Sequence, residues 1–478
     1  MTAVMKKSQI YLFLVLLMSL SMFGIGTSSC KKTMSFSNGN LSFSQDTIIF
    51  DTVFTTIGSV TKNFRFRNEN AKTIIVEEIA LSGGTNSPFR LNVDGISGTQ
   101  FENIEIEGGD SLYAFVEVTL DPNNGTLPLI IEDSIRFTTN GIDQYVQLVV
   151  WGQDAYFHYS YISEGILDIN EGTWPNDKPH VIYGAAFVDS AKTLDIQAGT
   201  DIYLHKNAIL YNYKGTLNIN GTMAEPVTLQ GDRLESAYDD VTGQYYGIYF
   251  QEARPSTINY AIIKNGTAGI HLFSEDPSNS GYTLSLRNTQ ILNCARYGLF
   301  IYSGAKVEAE NCILAKHGTH SLLVLEGGDF NLNHCHLIGY GNGQEVGAAV
   351  GISNYFVDQI NQVTNVGSIN EGTITNSVIY GNLDNELAID TLSDIAITLN
   401  IDFRNNLIRS TTVFTEPFYV DNIWNNEPLF YNIGDNDFHW YSTSPLDGGA
   451  SFTFPTSNGL DIEGVVRSGP DIGAYEFL

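Results

Sequence analysis

The tetrapeptide Asn311-Cys312-Ile313-Leu314 is one of six related segments between residues 259 and 408. Each begins with a polar residue, continues with a mostly small one and ends on an aliphatic one: Asn259-Tyr260-Ala261-Ile262, Asn288-Thr289-Gln290-Ile291, Asn311-Cys312-Ile313-Leu314, His334-Cys335-His336-Leu337, Asn376-Ser377-Val378-Ile379 and Asn405-Asn406-Leu407-Ile408. The steps between them are 29, 23, 23, 42 and 29 residues. A period in the twenties is typical of solenoids, and short alternating runs separated by Gly and Asn favour strands. The repeat therefore predicts a parallel β-helix.

In such a coil the polar first positions should stack as a structural ladder, made of Asn259, Asn288, Asn311, Asn376 and Asn405. Cys312 and Cys335 share the next column, where a rung spacing of roughly 4.8 Å would permit a disulfide. A ladder of buried free thiols is the alternative that we favour. Side chains two apart on a strand point the same way, so both thiols should face the core with Leu314 and Leu337.

Composition limits the class of protein further. The 478 residues contain 12% aromatic residues and 45 glycines, which is typical of an all-β chain. The formal net charge of −29 argues against nucleic acid as a partner, because phosphate requires the opposite sign. The four cysteines do not have the spacing of a zinc ribbon.

Residues 1–29 have the features of an export signal. Lys6 and Lys7 precede a short apolar run, and small residues lead to Cys30. The arrangement resembles a bacterial lipoprotein signal, which implies that Cys30 is lipidated after cleavage. It implies attachment to the outer membrane and leaves the periplasmic or surface face open.

Strand-like runs recur between residues 43 and 155: Thr47–Phe54, Thr61–Arg67, Thr73–Leu81, Phe101–Ile106, Ser111–Leu120, Ser134–Thr138 and Gln144–Trp151. Several alternate apolar and polar residues, as strands with one buried face do. Seven short strands predict a β-sandwich of immunoglobulin-like type. The segment resembles the Ig-like modules that precede β-helices in lipoproteins of Bacteroidetes-type bacteria, where they act as spacers.

Further phrases resemble right-handed β-helix proteins. Leu194–Thr200 and Leu217–Thr222 look like opening coils, and Asp471–Phe477 looks like a C-terminal closure. The predicted organisation is a signal at 1–29, a tether at 30–42, the Ig-like sandwich at 43–155, a linker at 156–179, the right-handed β-helix at 180–412, and a last rung with a C-terminal cap at 413–478.

The sequence supports the candidate sites less strongly than it supports the fold. An insertion between rungs combines aromatic rings and acids that could bind a glycan: Tyr238, Asp239, Asp240, Tyr245 and Tyr246. Four histidines lie close in sequence at positions 317–336, but the repeat explains them as polar ladder residues, so we predict no metal site. Six Asp-Ser/Thr triplets resemble Bacteroidetes-type O-glycosylation acceptors, at Thr47, Thr52, Ser111, Ser134, Ser190 and Thr391, and ordinary turn-to-strand chemistry is the alternative.

The sequence thus favours an envelope lipoprotein whose β-helix presents an extended surface to glycans or another envelope protein, without catalysis and without a cofactor. The alternative is a polysaccharide lyase or glycoside hydrolase of the β-helix type. A lyase would use carboxylates to hold calcium and a Lys or Arg as base. A groove with clustered carboxylates beside a basic residue would favour the enzyme. A smooth surface on the coil would favour the binding protein.

Overall fold

The structure, a computed structural model, describes residues 39–122, 129–160, 165, 167–275, 281–341, 346–393, 397–412 and 414–477. The predicted signal and Cys30 lie outside these residues. The described chain divides into two compact units, one within residues 39–120 and 130–151 and the other within residues 152–477. In the described part, no helix has the length and apolarity that crossing a membrane requires.

The first unit is a β-sandwich of two five-stranded sheets. One sheet contains, in spatial order, β1 (Ser42–Phe43), β3 (Lys62–Arg67), β8 (Ser111–Val118), β5 (Phe89–Val93) and β6 (Ile96–Gly98). The other contains β2 (Thr47–Phe54), β10 (Ile142–Gln153), β9 (Leu129–Thr139), β4 (Ile74–Leu81) and β7 (Gln100–Ile106). Alternate residues of both sheets face one core, where the rings of Phe66 and Phe137 lie 5.1 Å apart. Strands β5 and β6 were not predicted, because each is short and lies between turn residues.

The second unit is a parallel β-helix, which confirms the predicted fold class. Each rung passes through three sheets in turn. The first sheet contains β12 (Gly172–Trp174), β14 (Thr193–Gln197), β17 (Thr216–Asn220), β20 (Ser256–Asn259), β23 (Leu284–Arg287), β26 (Lys306–Glu310), β29 (Asp329–Asn333), β34 (Ile369–Thr375), β37 (Leu399–Arg404) and β39 (Tyr419–Val420). The second contains β11 (Tyr156–Ser160), β13 (His180–Val188), β15 (Asp201–Leu204), β18 (Val227–Gly231), β21 (Ala261–Lys264), β24 (Gln290–Leu292), β27 (Ile313–Ala315), β30 (His336–Ile338), β35 (Val378–Tyr380), β38 (Leu407–Ile408) and β40 (Ile423–Trp424).

The third sheet begins with the second half of β13, which turns the corner from the second sheet. It continues with β16 (Ile209–Tyr213), β19 (Gly247–Gln251), β22 (Ala268–Phe273), β25 (Tyr297–Tyr302), β28 (His320–Leu325), β31 (Val350–Ser353) and β36 (Leu387–Asp390). Two antiparallel pairs lie outside these sheets, β32 (Tyr355–Asp358) with β33 (Val363–Val366) and β41 (Phe430–Asn432) with β42 (Asp437–Trp440).

Residues 156–179, predicted as a linker, contain β11 and β12 and so begin the coil. The rings of His158 and His180 stack on Trp174 with centroids 4.2 and 4.3 Å away. Trp174 is buried in the helix core. The three rings cover the apolar interior of the first coil, which would otherwise be exposed to solvent.

The predicted ladder is displaced by one residue in its first rung. Asn259 pairs with Arg287, and Ile263 rather than Ile262 pairs with Ile291. The position that matches Asn288 is therefore Tyr260, which shares its positive φ. The sequence could not decide this register, because Ile262 and Ile263 are both aliphatic. The Asn288 side chain nevertheless donates to Asn259 Oδ1 over 2.9 Å.

From Asn288 onward, the ladder positions have left-handed backbone conformations, with φ between 47° and 54° at Asn288, Asn311, His334, Asn376 and Asn405. Asn tolerates this conformation better than most residues. The residues of the next column face the core. Cys312 and Cys335 are free thiols and are fully buried, and Leu314 and Leu337, two residues further along each strand, are also fully buried. Burial raises the pKa of the Cys312 thiol well above its usual value and that of Cys294 to about 12.

The C-terminal segment, residues 430–477, lies along the outside of the second sheet, after a last rung formed by β39 and β40. In the rungs that contain β27, β30, β35 and β38, apolar side chains project outward from the second sheet, at Ile313, Ala315, Ile338, Val378, Tyr380 and Leu407. They pack against Phe438, Trp440, Leu446, Ile472 and Tyr475. A strand that is apolar on both faces must be covered on both, so the segment covers the side of the coil rather than only closing its end.

The ladder also holds this segment. Arg467 donates to Asn311 Oδ1 over 2.9 Å, and Asn376 Oδ1 accepts from the Ser451 amide over 2.9 Å. His334 Nδ1 donates to the Asp471 carbonyl over 3.0 Å. The run Asp471–Phe477 is therefore held against the coil. Gly473 is required in this run because a Cβ there would lie 2.5 Å from the His336 ring.

We predict that a thiol reagent labels Cys294, Cys312 and Cys335 slowly in the folded protein and rapidly after unfolding, because all three are buried. Cys312→Ala should lower the free energy of unfolding by about 1 kcal/mol, and Cys312→Arg by more than about 4 kcal/mol, since it buries an unpaired charge. Rapid labelling of the folded protein at Cys312 and Cys335 would mean that the register is off by one residue.

His334 should make the fold acid-sensitive. Its Nε2 accepts from Asn376 and its Nδ1 donates, so only the neutral ring fits. Burial lowers the pKa of His334 to about 3, so its contribution is present above about pH 6.5 and is lost as the pH falls toward the folded pKa. The free energy of unfolding of the wild-type protein should fall between pH 7 and pH 5. In His334→Asn this fall should be smaller by up to about 2 kcal/mol. Urea titrations at both pH values measure this, and an unchanged pH dependence would contradict it.

Candidate functional site

The structure separates the residues predicted to bind glycan. Tyr238 packs under the Arg233 guanidinium, 3.9 Å from the ring centroid, and Asp239 and Asp240 are exposed beside it. Tyr245 is only 1% exposed, and its hydroxyl donates to the Lys264 carbonyl over 2.9 Å. The prediction for Tyr245 is therefore wrong, because its ring fills the core and cannot stack on a sugar.

Tyr246 belongs instead to a ladder of rings on the outside of the third sheet, where its hydroxyl lies 2.7 Å from His271 Nδ1. Tyr249, His271 and Phe300 stack from rung to rung with centroids 4.6 and 4.5 Å apart. Each ring face is covered by its neighbour and only the edges remain free. This ladder stabilises the sheet and does not offer a flat face to a ligand.

A groove lies instead on the outside of the first sheet. Five successive rungs place a polar, an apolar and a polar residue in register: Ser285-Leu286-Arg287, Glu308-Ala309-Glu310, Asn331-Leu332-Asn333, Thr373-Ile374-Thr375 and Asp402-Phe403-Arg404. The apolar residues face the core, so the polar ones form two outward columns. The columns run roughly 19 Å along the coil at the usual strand spacing, and the groove encloses about 410 Å³.

Glu371 lies at one side of the groove and is held there by Tyr282 and Asn331. The Tyr282 hydroxyl donates to Glu371 Oε2 over 2.9 Å, and Asn331 donates to Oε1 over 3.0 Å. Burial, with the hydrogen bond to Glu371 acting in the same direction, raises the pKa of Tyr282 to about 12, so the phenol keeps its proton. Glu371 is thereby held as an acceptor at the edge of the columns.

The C-terminal segment forms the opposite side with Phe454 and Pro455. Asn333 donates to the carbonyls of both residues, over 3.1 and 3.3 Å. Glu310 accepts from the backbone and side chain of Ser457, over 2.8 and 2.7 Å. The groove thus combines a polar base with one apolar wall.

Two polar atoms of the groove are buried without a hydrogen-bond partner among the described residues, Asp402 Oδ1 and Thr373 Oγ1. They belong to residues paired across adjacent rungs in one column. The other oxygen of Asp402 accepts from Arg404 Nε over 2.6 Å, which fixes the carboxylate. Buried polar atoms usually have partners, so these two side chains have hydrogen-bonding capacity that the described residues do not use.

The groove is acidic. Four carboxylates line it, those of Glu308, Glu310, Glu371 and Asp402, against the one guanidinium of Arg287. Arg287 already donates to Glu308 over 3.2 Å and to Ser457 over 3.1 Å. Its guanidinium is committed to these contacts and has no hydrogen-bond acceptor atom, so it is a poor candidate for a base.

The remaining predicted residues that the structure describes do not line the groove. In the sandwich, Thr47, Ser111 and Ser134 are half-buried at or within strands and Thr52 lies inside β2; in the coil, Ser190 is exposed in a turn and Thr391 follows β36. At Ser111, Ser134 and Ser190, the preceding Asp accepts from the serine amide over 2.7 Å. Across the described chain, no group of three His, Cys, Asp or Glu side chains is arranged to hold a metal ion.

One comparison with known proteins supports the architecture of the coil. A family model described as "Right handed beta helix region" matches residues 148–339. No curated protein matches the chain. Three solved structures have weak likeness. The catalytic unit of a GH87 α-1,3-glucanase from Streptomyces thermodiastaticus is 11% identical over 76% of this chain and 88% of its own, with a TM-score of 0.26.

A family 123 glycoside hydrolase from Clostridium perfringens is 10% identical over 24% of this chain, with a TM-score of 0.17, and the match spans only 26% of that hydrolase. The human CEP192 PapD-like domain is 12% identical over 27% of this chain and 94% of its own, with a TM-score of 0.17. Likeness at this level carries no argument about activity.

Proposed function

We propose that the protein binds a neutral polysaccharide in the groove of the first sheet. The observation that carries the proposal is that Asp402 and Thr373 line the groove in one column and each has an oxygen without a hydrogen-bond partner among the described residues. Sugar hydroxyls can donate to these acceptors, and the apolar face of a sugar ring can pack on Phe454 and Pro455. A chain that runs along the coil meets a new pair of polar side chains at each rung.

The charge of the groove selects against acidic polymers. After the ion pairs of Arg287 with Glu308 and of Arg404 with Asp402 are counted, the carboxylates of Glu310 and Glu371 remain uncompensated. A polyuronate would place its own carboxylates against them, which is repulsive at short range. This argues against a lyase acting on uronic acids and favours neutral sugars.

Hydrolysis of that glycan is the second candidate. Glycoside hydrolases use two carboxylates on either side of the scissile bond. The groove contains Glu371, held by Tyr282 and Asn331, and Asp402, held by Arg404 with one oxygen free. These two acids are the residues on which we would test catalysis.

The remaining part of the proposal concerns the envelope. We propose that Cys30 carries a lipid, that the sandwich is an Ig-like spacer, and that the protein is an outer-membrane lipoprotein of Bacteroidetes-type bacteria. The support is the signal sequence and the resemblance of the sandwich segment to such modules. The Asp-Ser/Thr triplets remain candidate O-glycosylation sites in this setting.

Binding to an array of neutral and acidic glycans tests the groove. The wild-type protein should retain neutral glucans, and Asp402→Asn and Glu371→Gln should each bind about tenfold more weakly, by loss of a charged hydrogen-bond acceptor. Glu225→Gln makes the same charge change in an exposed turn outside the groove and should bind normally. Equal binding by all four proteins would contradict the proposal. Release of reducing ends by the wild type, abolished in both groove variants, would establish hydrolysis.

Metabolic labelling with palmitate tests the anchor. The wild-type protein and Cys312→Ala should incorporate the label, because Cys312 is buried. Cys30→Ala should lose it and be released from the membrane. Label in the Cys30→Ala protein would show that the lipid assignment is wrong.

A further inference from the structure

His334 is connected to one wall of the groove through the side chain of Asn376. His334 Nε2 lies 3.1 Å from Asn376 Nδ2. The same Nδ2 donates to the carbonyls of Ser451 and Phe454, over 3.2 and 3.1 Å, and Asn376 Oδ1 accepts from the Ser451 amide over 2.9 Å. Residues 451–455, which we call the wall loop, form the apolar side of the groove at Phe454. One side chain therefore separates the imidazole from the groove wall.

These hydrogen bonds fix the protonation state of His334. Its Nδ1 lies 3.0 Å from the Asp471 carbonyl, which can only accept, so Nδ1 carries the proton. Its Nε2 faces the amide nitrogen of Asn376, which can only donate, so Nε2 is the acceptor. The Asn376 amide is held in this orientation, because its oxygen accepts from an N–H and its nitrogen faces two carbonyls. The arrangement therefore requires the neutral ring.

A second proton on His334 would break this arrangement. An N–H at Nε2 would face the N–H of Asn376, with no acceptor between the two donors. The Asn376 amide can bond to the charged ring only by turning its oxygen toward it, which removes its hydrogen bonds to the wall loop. The bonds from Asn333 to the carbonyls of Phe454 and Pro455 do not pass through Asn376. The wall loop would therefore loosen rather than detach.

Charged groups on the C-terminal segment also face His334. Burial of the ring, with the Arg467 guanidinium acting in the same direction, lowers the pKa of His334 to about 3. Arg467 in turn interacts with several carboxylates, those of Asp461, Glu476, Asp471 and Glu310. Burial raises the pKa of Asp471 to about 6, so acid stabilises the attached segment through this group, opposite to the effect of His334. The Asp471 carboxylate accepts from the amides of Gly448 and Phe477, not from the wall loop.

His336 is a second buried imidazole beneath the same segment. Its Nδ1 accepts from the Ala474 amide over 3.0 Å, and burial lowers its pKa to about 3. Ala474 lies outside the wall loop, so protonation of His336 acts on a different attachment. Of the two imidazoles, His334 is the one with a hydrogen-bond path to the groove wall.

We propose that His334 and Asn376 form a proton-sensitive latch that holds the wall loop in place near neutral pH and loosens it in acid. The latch regulates the groove, so its effect on binding rests on the function proposed there. A protonated ring is compatible only with the open loop, where its pKa returns to about 6.5. The ratio of open to closed loop should therefore rise about 25-fold between pH 7 and pH 5. The coil can stay folded meanwhile, because the described residues of its core come from outside the C-terminal segment.

Backbone amide exchange tests the latch. In the wild-type protein, the protection of the Ser451 amide, relative to an unfolded peptide at the same pH, should fall about 25-fold from pH 7 to pH 5. In His334→Asn it should change by less than about threefold, because Asn does not titrate and tolerates the left-handed backbone at this position. The Ser457 amide, which donates to Glu310, is the internal reference and should change little.

A matched histidine variant makes the result specific. His205→Asn removes an exposed imidazole beside Asp232, outside the latch, and should respond to pH as the wild type does. Unchanged protection of Ser451 in the wild type, or an equal fall in the His334→Asn protein, would overturn the latch.

Binding of a neutral glucan separates the latch from the function proposed for the groove. The affinity of the wild-type protein should fall between pH 7 and pH 5 by more than that of His334→Asn. An equal fall in both proteins would overturn regulation of the groove by His334. Absence of glucan binding at both pH values, with the exchange results as expected, would contradict the proposed function and leave the latch established.

Discussion

The register between successive rungs is the constraint on which the rest of the coil depends. Side chains alternate along each strand, so a slip of one residue would exchange the core for the surface. Leu286, Ala309, Leu332, Ile374 and Phe403 form one buried column of the first sheet. The residues on either side of each are thereby forced outward, and the polar columns of the groove are the direct consequence. The proposed glycan site is thus specified by core packing as much as by its own residues.

The second sheet shows how the same constraint recruits the C-terminal segment. Apart from His336, its outward residues are apolar from Leu292 to Leu407, so the sheet alone would leave a large apolar face in water. The segment covers this face and is fixed by hydrogen bonds to Asn311, His334 and Asn376. Its loop at Phe454 then forms a wall of the groove. The C-terminal segment therefore both covers the outer face of the second sheet and forms one wall of the groove.

Much of the fold could be predicted from periodicity, because five of the six aliphatic positions face the core and the sixth, Ile262, is displaced from it by one residue. The position of the C-terminal segment could not, although a signal exists: Ile313-Leu314-Ala315 and Val378-Ile379-Tyr380 are apolar throughout where a half-exposed strand would alternate. The groove was missed for a related reason. Its residues are ordinary polar side chains, and only the pairing of Glu308 with Asn331 and of Thr373 with Asp402 makes them a site. Tyr245 was misassigned because a sequence cannot show which loop rings turn inward.

A crystal structure of the protein soaked with a neutral oligosaccharide tests the account most directly. Sugar rings should lie along the column from Glu308 to Asp402, with a hydroxyl within hydrogen-bond distance of the Asp402 carboxylate and a ring against Phe454. An oligosaccharide bound elsewhere on the coil, for example on the loop of Tyr238 or the ring ladder of the third sheet, with this groove unoccupied, would contradict it.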